Sequence, residues 1–345
     1  MIKKILVPLD GSANAEKIAG WSEGLAEAFE ASFVLLSVVD PEKIERPDVD
    51  PGLDRPLHRI EAGSTGSPGG IAATAPFGHA ISATTEPGHA DIAYGTQVIE
   101  ATAEAQNRYV NDVAKRLSER GFQVRAKVTI GKPEDEIVKA ADEEKVDIVA
   151  MATHRGSAIA RGVLGSVTDR VVHAITRPVL VIRPETVSET MPTKPESVIV
   201  PLDGSEESES VLPIAKAIAK ETGAELVAVR VTNLPYMSAM GDAGIYYASP
   251  VSYARATDFA AEYLEPIVEQ AKNEGVKTVM RTPTGGPANT IVRLAEEIPN
   301  AMVVIGTRGQ SGFRRWVVGS IADKVIRTSG RPVLVVPPPE REVVH

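Results

Sequence analysis

Val7-Pro8-Leu9-Asp10-Gly11-Ser12 and Val200-Pro201-Leu202-Asp203-Gly204-Ser205 are the same six residues, 193 positions apart. Working outward, Ala31 to Val38 (ASFVLLSV) answers Ala224 to Val231 (AELVAVRV) at the same offset. Further along, GSVTDRV from Gly165 answers GSIADKV from Gly319, and RPVLV from Arg177 answers RPVLV from Arg331, both pairs 154 apart. Two constant offsets describe one duplicated unit, with 39 extra residues in the first copy between Val38 and Gly121.

The extra residues fall in a stretch, Pro51 to Gly95, rich in Gly, Ala, Pro and Ser and poor in aliphatic anchors. Such a composition buries too little surface to offset its ordering entropy, which predicts a long mobile loop. The expected division is a first domain over 1–185 with its insertion at about 45–100, a polar proline-bearing linker over 186–196, and a second domain over 197–345.

Within each copy short apolar runs alternate with helical patterns. Ile5-Leu6-Val7 reads as a strand, and Ile18, Trp21, Leu25 and Phe29 then fall at helical spacing. Val211, Ile214, Ala215 and Ile218 mark the matching helix, whose start is set a few residues before Pro213. Strands follow at Phe33–Val38 and Leu226–Val231, near Val124–Ile130, at Ile148–Met151 and Met302–Ile305, and at Pro178–Ile182 and Pro332–Val336. Five strands alternating with four helices predict an α/β fold, each copy a doubly wound five-stranded parallel sheet. Ligands of such sheets sit at the carboxyl ends of the strands, where the winding direction reverses.

Three elements meet there: Asp10 or Asp203 after strand one, Val38 or Val231 at the end of strand two, and the loop after strand four. In the second copy that loop runs Gly306-Thr307-Arg308-Gly309-Gln310-Ser311-Gly312-Phe313-Arg314-Arg315-Trp316-Val317-Val318-Gly319-Ser320. Glycines let backbone approach a ligand, and Gly319-Ser320 opens a helix whose free N–H groups favour an anion. Arg308, Arg314 and Arg315 add positive charge, so a phosphate-bearing ligand is expected. Plainer roles stand beside these: Asp as a turn residue, glycines as loop geometry, His154 as a solvent-facing loop residue or phosphate contact. Gly131-Lys132-Pro133 and Gly285-Gly286-Pro287 read as turns that start the third helix, with ribose contact the alternative.

Gly306-x2-Gly309-x9-Gly319-Ser320 resembles the ATP-binding signature of the universal stress protein family, and the opening VPLDGS and closing RPVLVV resemble it too. The resemblance spans both copies apart from the insertion and linker. It implies a Rossmann-like fold similar to the adenine nucleotide alpha hydrolases, and ATP as ligand, with Mg²⁺ as its expected counter-ion. Asp203 would lie by the nucleoside or the metal, within a wall that includes Pro201, Leu202 and Ile305, and Val231 would meet adenine through its backbone. Gly306, Arg308 and Gly309 would line the phosphates, Gly319 and Ser320 would hold them, and Ile321 and Ala322 would add backbone contacts. The first copy departs from the pattern, with Ala152 and Arg155 where the motif has glycine. Asp10, Val38, Gly165, Ser166 and Val167 remain, so that site is expected to be weaker. The family's use of the last strand for dimerisation implies that the two copies pair with each other, a homodimer of whole chains staying open.

Composition narrows the function classes. The chain has 345 residues and no cysteine, which removes disulfides, thiolate metal sites and cysteine nucleophiles. A net charge of −9 argues against nucleic acid or an anionic membrane as the main partner. No long apolar span or signal-peptide pattern occurs, so the expected location is cytoplasmic. His58, His79 and His89 have no zinc spacing. There is no P-loop, G-x-S-x-G elbow or S-G-G-x-D-S loop, so at most slow ATP hydrolysis is expected. A nucleotide-free interaction scaffold and a weak hydrolase are the alternatives.

Overall fold

The computed structural model describes residues 2–43, 87–152, 164–183, 193–232, 250–307 and 318–338. The first copy runs β1 (Lys4–Pro8), α1 (Ala13–Phe29), β2 (Ser32–Val39), α2 (Pro87–Glu119), β3 (Val124–Ile130), α3 (Pro133–Glu143), β4 (Ile148–Ala152), α4 (Ser166–Ala174) and β5 (Val179–Ile182). The second runs β6 (Ser197–Pro201), α5 (Glu206–Glu209), α6 (Leu212–Thr222), β7 (Glu225–Val229), α7 (Pro250–Asn273), β8 (Thr278–Arg281), α8 (Pro287–Glu297), β9 (Ala301–Gly306), α9 (Ser320–Thr328) and β10 (Val333–Val336).

The strands form one ten-stranded sheet in the order β3-β2-β1-β4-β5-β10-β9-β6-β7-β8. Each half is parallel throughout. The halves meet where β10 pairs antiparallel with β5, Leu334 opposite Leu180. Because that one junction is antiparallel, the carboxyl ends of the two parallel halves point to opposite rims of the sheet.

The inner strands are apolar on both faces, as parallel strands covered by helices must be. Ile5, Val7, Phe33 and Leu35 face one core, shared with Ile18 and Leu25 of α1 and Ile218 of α6. Leu6, Val34 and Leu36 face the other, with Ile137 of α3 and Val325 of α9. Ile18, Trp21, Leu25 and Phe29, the helical stripe read from the sequence, are all buried.

Three features differ from the sequence reading. The second copy has a fifth helix: its first helical stretch is split into α5 and α6, and α6 begins at Leu212, one residue before Pro213. Proline lacks the N–H that a continuous helix needs, so a new helix starts there. Secondly, β7 stops at Val229 and not Val231. Thirdly, the expected loop does not extend to Gly95, because α2 already begins at Pro87. Extending a helix that is packed further along costs far less than nucleating one, which carries α2 into a weakly apolar segment. The rest of the insertion, 44–86, lies outside the described residues.

Thr193 and Lys194, just before the second copy, lie against α1. Thr193 lies so close to Gly24 that a Cβ there would run into the Thr193 carbonyl oxygen, and Lys194 pairs with Glu27 at 2.9 Å. Gly24→Val is expected to lower stability by about 1–3 kcal/mol through overpacking. Urea midpoints would check this, and an unchanged midpoint would show that the segment yields freely.

Candidate functional site

In each half the strand order reverses between the first and fourth strands of the copy, β1 and β4 or β6 and β9, so a crevice opens above their carboxyl ends. The chain leaves β1 and β6 through the same turn. Asp10 Oδ1 accepts from the Ser12 N–H at 3.0 Å, and Asp203 Oδ1 accepts from the Ser205 N–H at 3.0 Å. The next residues, Gly11 and Gly204, have φ of 84° and 85°, a region glycine enters without steric cost. Ser12 then caps α1 and Ser205 caps α5. The aspartates therefore do serve as turn residues, and the turn puts them at the crevice.

A cavity of about 460 Å³ fills the crevice of the second half, within the usual range for small-ligand sites. Pro201, Leu202 and Asp203 line it from the first strand's end, Val231 from the second, and Ile305 and Gly306 from the fourth. Gly319, Ser320, Ile321 and Ala322 close the opposite wall. Arg308 and Gly309, with Gly312, Arg314 and Arg315, lie outside the described residues.

The wall formed by α9 has the electrostatics of an anion site. Gly319 is its N-cap and supplies no side-chain acceptor. The Gly319 N–H donates to the Thr307 carbonyl at 2.5 Å, and the first intrahelical bond runs from Asp323 to Gly319. Between them the N–H groups of Ser320, Ile321 and Ala322 have no partner among the described residues, and all three residues line the cavity. Three convergent amides on a helix N-terminus suit a phosphate.

The opposite wall offers a different pattern. Along β7 and its continuation, alternate residues bond to the two neighbouring strands: Leu226, Arg230 and Thr232 donate towards β8, while Val229 accepts from Leu202 on the β6 side. Val231 is next in the β6-facing series, but β6 has already ended at Pro201. Its N–H and C=O therefore face the crevice with no backbone partner among the described residues. A donor and an acceptor side by side on a half-buried peptide match the hydrogen-bonding edge of a purine. The end of β6 at Pro201 is the physical reason for this vacancy in the ladder.

The first half repeats the arrangement with different side chains. Its cavity, about 450 Å³, is lined by Asp10, Val38, Gly165, Ser166 and Val167, together with Lys43, Thr102 and Gln106. Gly165 caps α4 without a side-chain bond, as Gly319 does for α9. Ser37 Oγ donates to Gln106 Oε1 at 2.8 Å beside this cavity. His154, Arg155 and Gly156 lie outside the described residues.

The sequence pattern of the Universal stress protein family matches residues 1–65, 73–183 and 195–337. The chain belongs to the universal stress protein family. Universal stress protein MJ0531 of Methanocaldococcus jannaschii is 32% identical over 148 residues, 43% of this chain and 85% of its own. Universal stress protein YxiE of Bacillus subtilis is 31% identical over 144 residues, 40% of this chain and 97% of its own. The crystal structure of a universal stress protein from Archaeoglobus fulgidus shares the fold at a TM-score of 0.64 and 21% identity, covering 97% of this chain and 98% of that one.

In this family member each crevice is flanked by a tyrosine and a glutamate at repeat-related positions. Tyr263 Oη donates to Glu209 Oε1 at 2.6 Å, and burial, then this bond and charge, raise its pKa. Tyr109 stands by Glu16, whose carboxylate Arg116 also pairs at 2.7 Å. Burial, and after it the charge of Glu16, push Tyr109 up to about 12 from 10.0. A phenol whose pKa is raised in the fold keeps its proton where the unfolded chain sheds it. Its stabilisation is thus complete below pH 10.0 and disappears as pH climbs to about 12. Tyr109→Phe is expected to shrink the drop in urea midpoint between about pH 9 and pH 11, and an undiminished drop would refute the assignment.

Several lining residues escaped the sequence reading: Ser208 and Arg230 in the second cavity, and Lys43, Thr102 and Gln106 in the first. Arg230 directly precedes Val231, so adjacency to a singled-out residue was its only signal. Pro287 and Ile291 were read as a turn and a helix marker, and both reach the cavity. His58 and His79 lie outside the described residues, as does the His89 side chain. Among the described residues no cluster of His, Asp and Glu has the makings of a metal site, and no helix is long and apolar enough to cross a membrane.

Proposed function

We propose that the chain is an adenine-nucleotide-binding universal stress protein whose second-copy crevice holds ATP. The observation that carries this reading is a single cavity with an open helix mouth at one wall and, at the other, the Val231 peptide, which has no backbone partner among the described residues. The triphosphate takes the amides of Ser320, Ile321 and Ala322, with Gly306, Arg308 and Gly309 alongside, and adenine takes Val231. Mg²⁺ arrives on the triphosphate and meets Asp203 there. Asp10, Val38, Gly165, Ser166 and Val167 form a weaker site in the first copy, since Ala152 and Arg155 replace loop glycines.

Regulation fits this crevice better than turnover. Asp203 is the one carboxylate among the described lining residues, and its Oδ1 already accepts two bonds from Ser205. Nucleotide occupancy acts by favouring whichever conformation binds it better. The two copies, 1–185 and 197–345, act as paired domains that replace a dimer of separate chains.

Calorimetric titration with ATP and magnesium tests the reading. About one equivalent is expected to bind in the second crevice; no heat at millimolar ATP would refute it. Adenine absorbance in the supernatant of heated, freshly purified protein gives an independent check.

A further inference from the structure

We propose that Arg230 is a base-stacking residue of the second crevice, where its guanidinium, backed by Tyr263, carries the purine ring of the bound nucleotide. The proposal rests on the nucleotide reading and adds how the base is held. Arg230 follows β7 and lines the cavity, whereas Tyr263, on α7, does not. The Arg230 Cζ lies over the Tyr263 ring, 4.2 Å from its centroid. Guanidinium groups stack on aromatic faces in this way and on nucleobases alike. The group also reaches the turn that carries Asp203: a Cβ on Gly204 would stand 2.9 Å from Arg230 Nη1 and 3.4 Å from Nη2. The absent side chain of Gly204 is what leaves the guanidinium its place at the wall. Tyr263 is itself anchored by its 2.6 Å bond to Glu209, so ring and guanidinium form an ordered layer beside the crevice.

The first copy shows that this layer is not a requirement of the fold. Ser37 stands where the second copy has Arg230, and its hydroxyl is turned to Gln106. Tyr109 keeps the ring, yet no cation lies over it among the described residues, and the space beside Gly11 is open for 4 Å. The positive charge is at Arg116 instead, paired with Glu16 on the outer flank, and its counterpart in the second copy is Gln270. Between the copies a cation has moved from the flank to the wall of the crevice. Two cavities of nearly equal volume thus differ in what they offer a flat aromatic ring, and Arg230 supplies a guanidinium that the described lining of the first cavity lacks.

The test is titration of the full chain with ATP and, separately, with inorganic tripolyphosphate, which has the charge but no base. Gly165→Val, which fills the helix mouth of the first crevice, is carried in every sample so that only the second is read. Arg230→Gln is expected to weaken ATP binding by about tenfold to a hundredfold and leave tripolyphosphate binding unchanged. Arg230→Lys, which keeps the charge and loses the plane, is expected to recover little. Tyr263→Leu, a change to the positioning residue, should weaken ATP less than Arg230→Gln does, again without touching tripolyphosphate. Equal losses for both ligands, or full recovery with lysine, would make Arg230 a charge contact and overturn the proposal. So would ATP binding that Arg230→Gln leaves intact in a variant whose urea midpoint matches the parent. Absence of ATP binding by the parent itself would overturn the nucleotide reading, and the stacking role with it.

Discussion

The Gly319→Val protein is expected to bind no ATP in its second crevice at concentrations that saturate the parent chain. Gly319 has φ −61° and ψ 149°, values open to any residue, so the substitution strains no backbone. Its effect is local. The new branched side chain stands at the point where the amides of Ser320, Ile321 and Ala322 converge, and it occupies the volume a phosphate would take. Charge-assisted bonds to helix amides are worth about 1.5–3 kcal/mol each. Losing two or three of them lowers affinity by at least about a hundredfold. Calorimetry with ATP reads the loss, and a urea unfolding free energy within about 0.5 kcal/mol of the parent would show that the fold survives. Retained affinity would remove the α9 mouth from the site.

Leu180→Asp is expected to unfold the chain, or nearly so, at 25 °C. Leu180 is fully buried at the centre of β5 and sits opposite Leu334 across the antiparallel junction. A carboxylate placed there has no cationic partner at that position in either strand, and such burial costs several kcal/mol beyond the lost packing. Domains have only about 5–15 kcal/mol of stability to lose. Leu180→Ala removes the packing alone and should cost about 2–5 kcal/mol. Ile130→Asp, at a position 52% exposed on the outer strand β3, serves as control and should shift the midpoint little. Circular dichroism in urea separates the three, and a Leu180→Asp chain as stable as the control would mean that the junction contributes nothing to folding.

Much of this architecture is legible in the residues because repetition marks the elements twice. A strand read faintly in one copy is read again at a constant offset in the other, and Val38 and Val231 are located in that way. What escapes is whatever depends on partners far along the chain. The early end of β7 follows from β8 stopping at Arg281, opposite Val229, a fact of register and not of the β7 residues. The start of α2 at Pro87 follows from packing at Val110, Val113 and Leu117, more than twenty residues downstream. Arg230 reads as an ordinary surface cation until Tyr263, distant in sequence, is folded beneath it. The α5–α6 break was half visible: Pro213 marks where a helix cannot continue, but the separate turn before it comes from the Ser205 cap.

The antiparallel seam between β5 and β10 also decides how the molecule meets its surroundings. With the two crevices on opposite rims, a flat partner resting on one rim has the whole width of the sheet between itself and the other. Whatever is presented at one mouth is hidden from a protein docked at its twin.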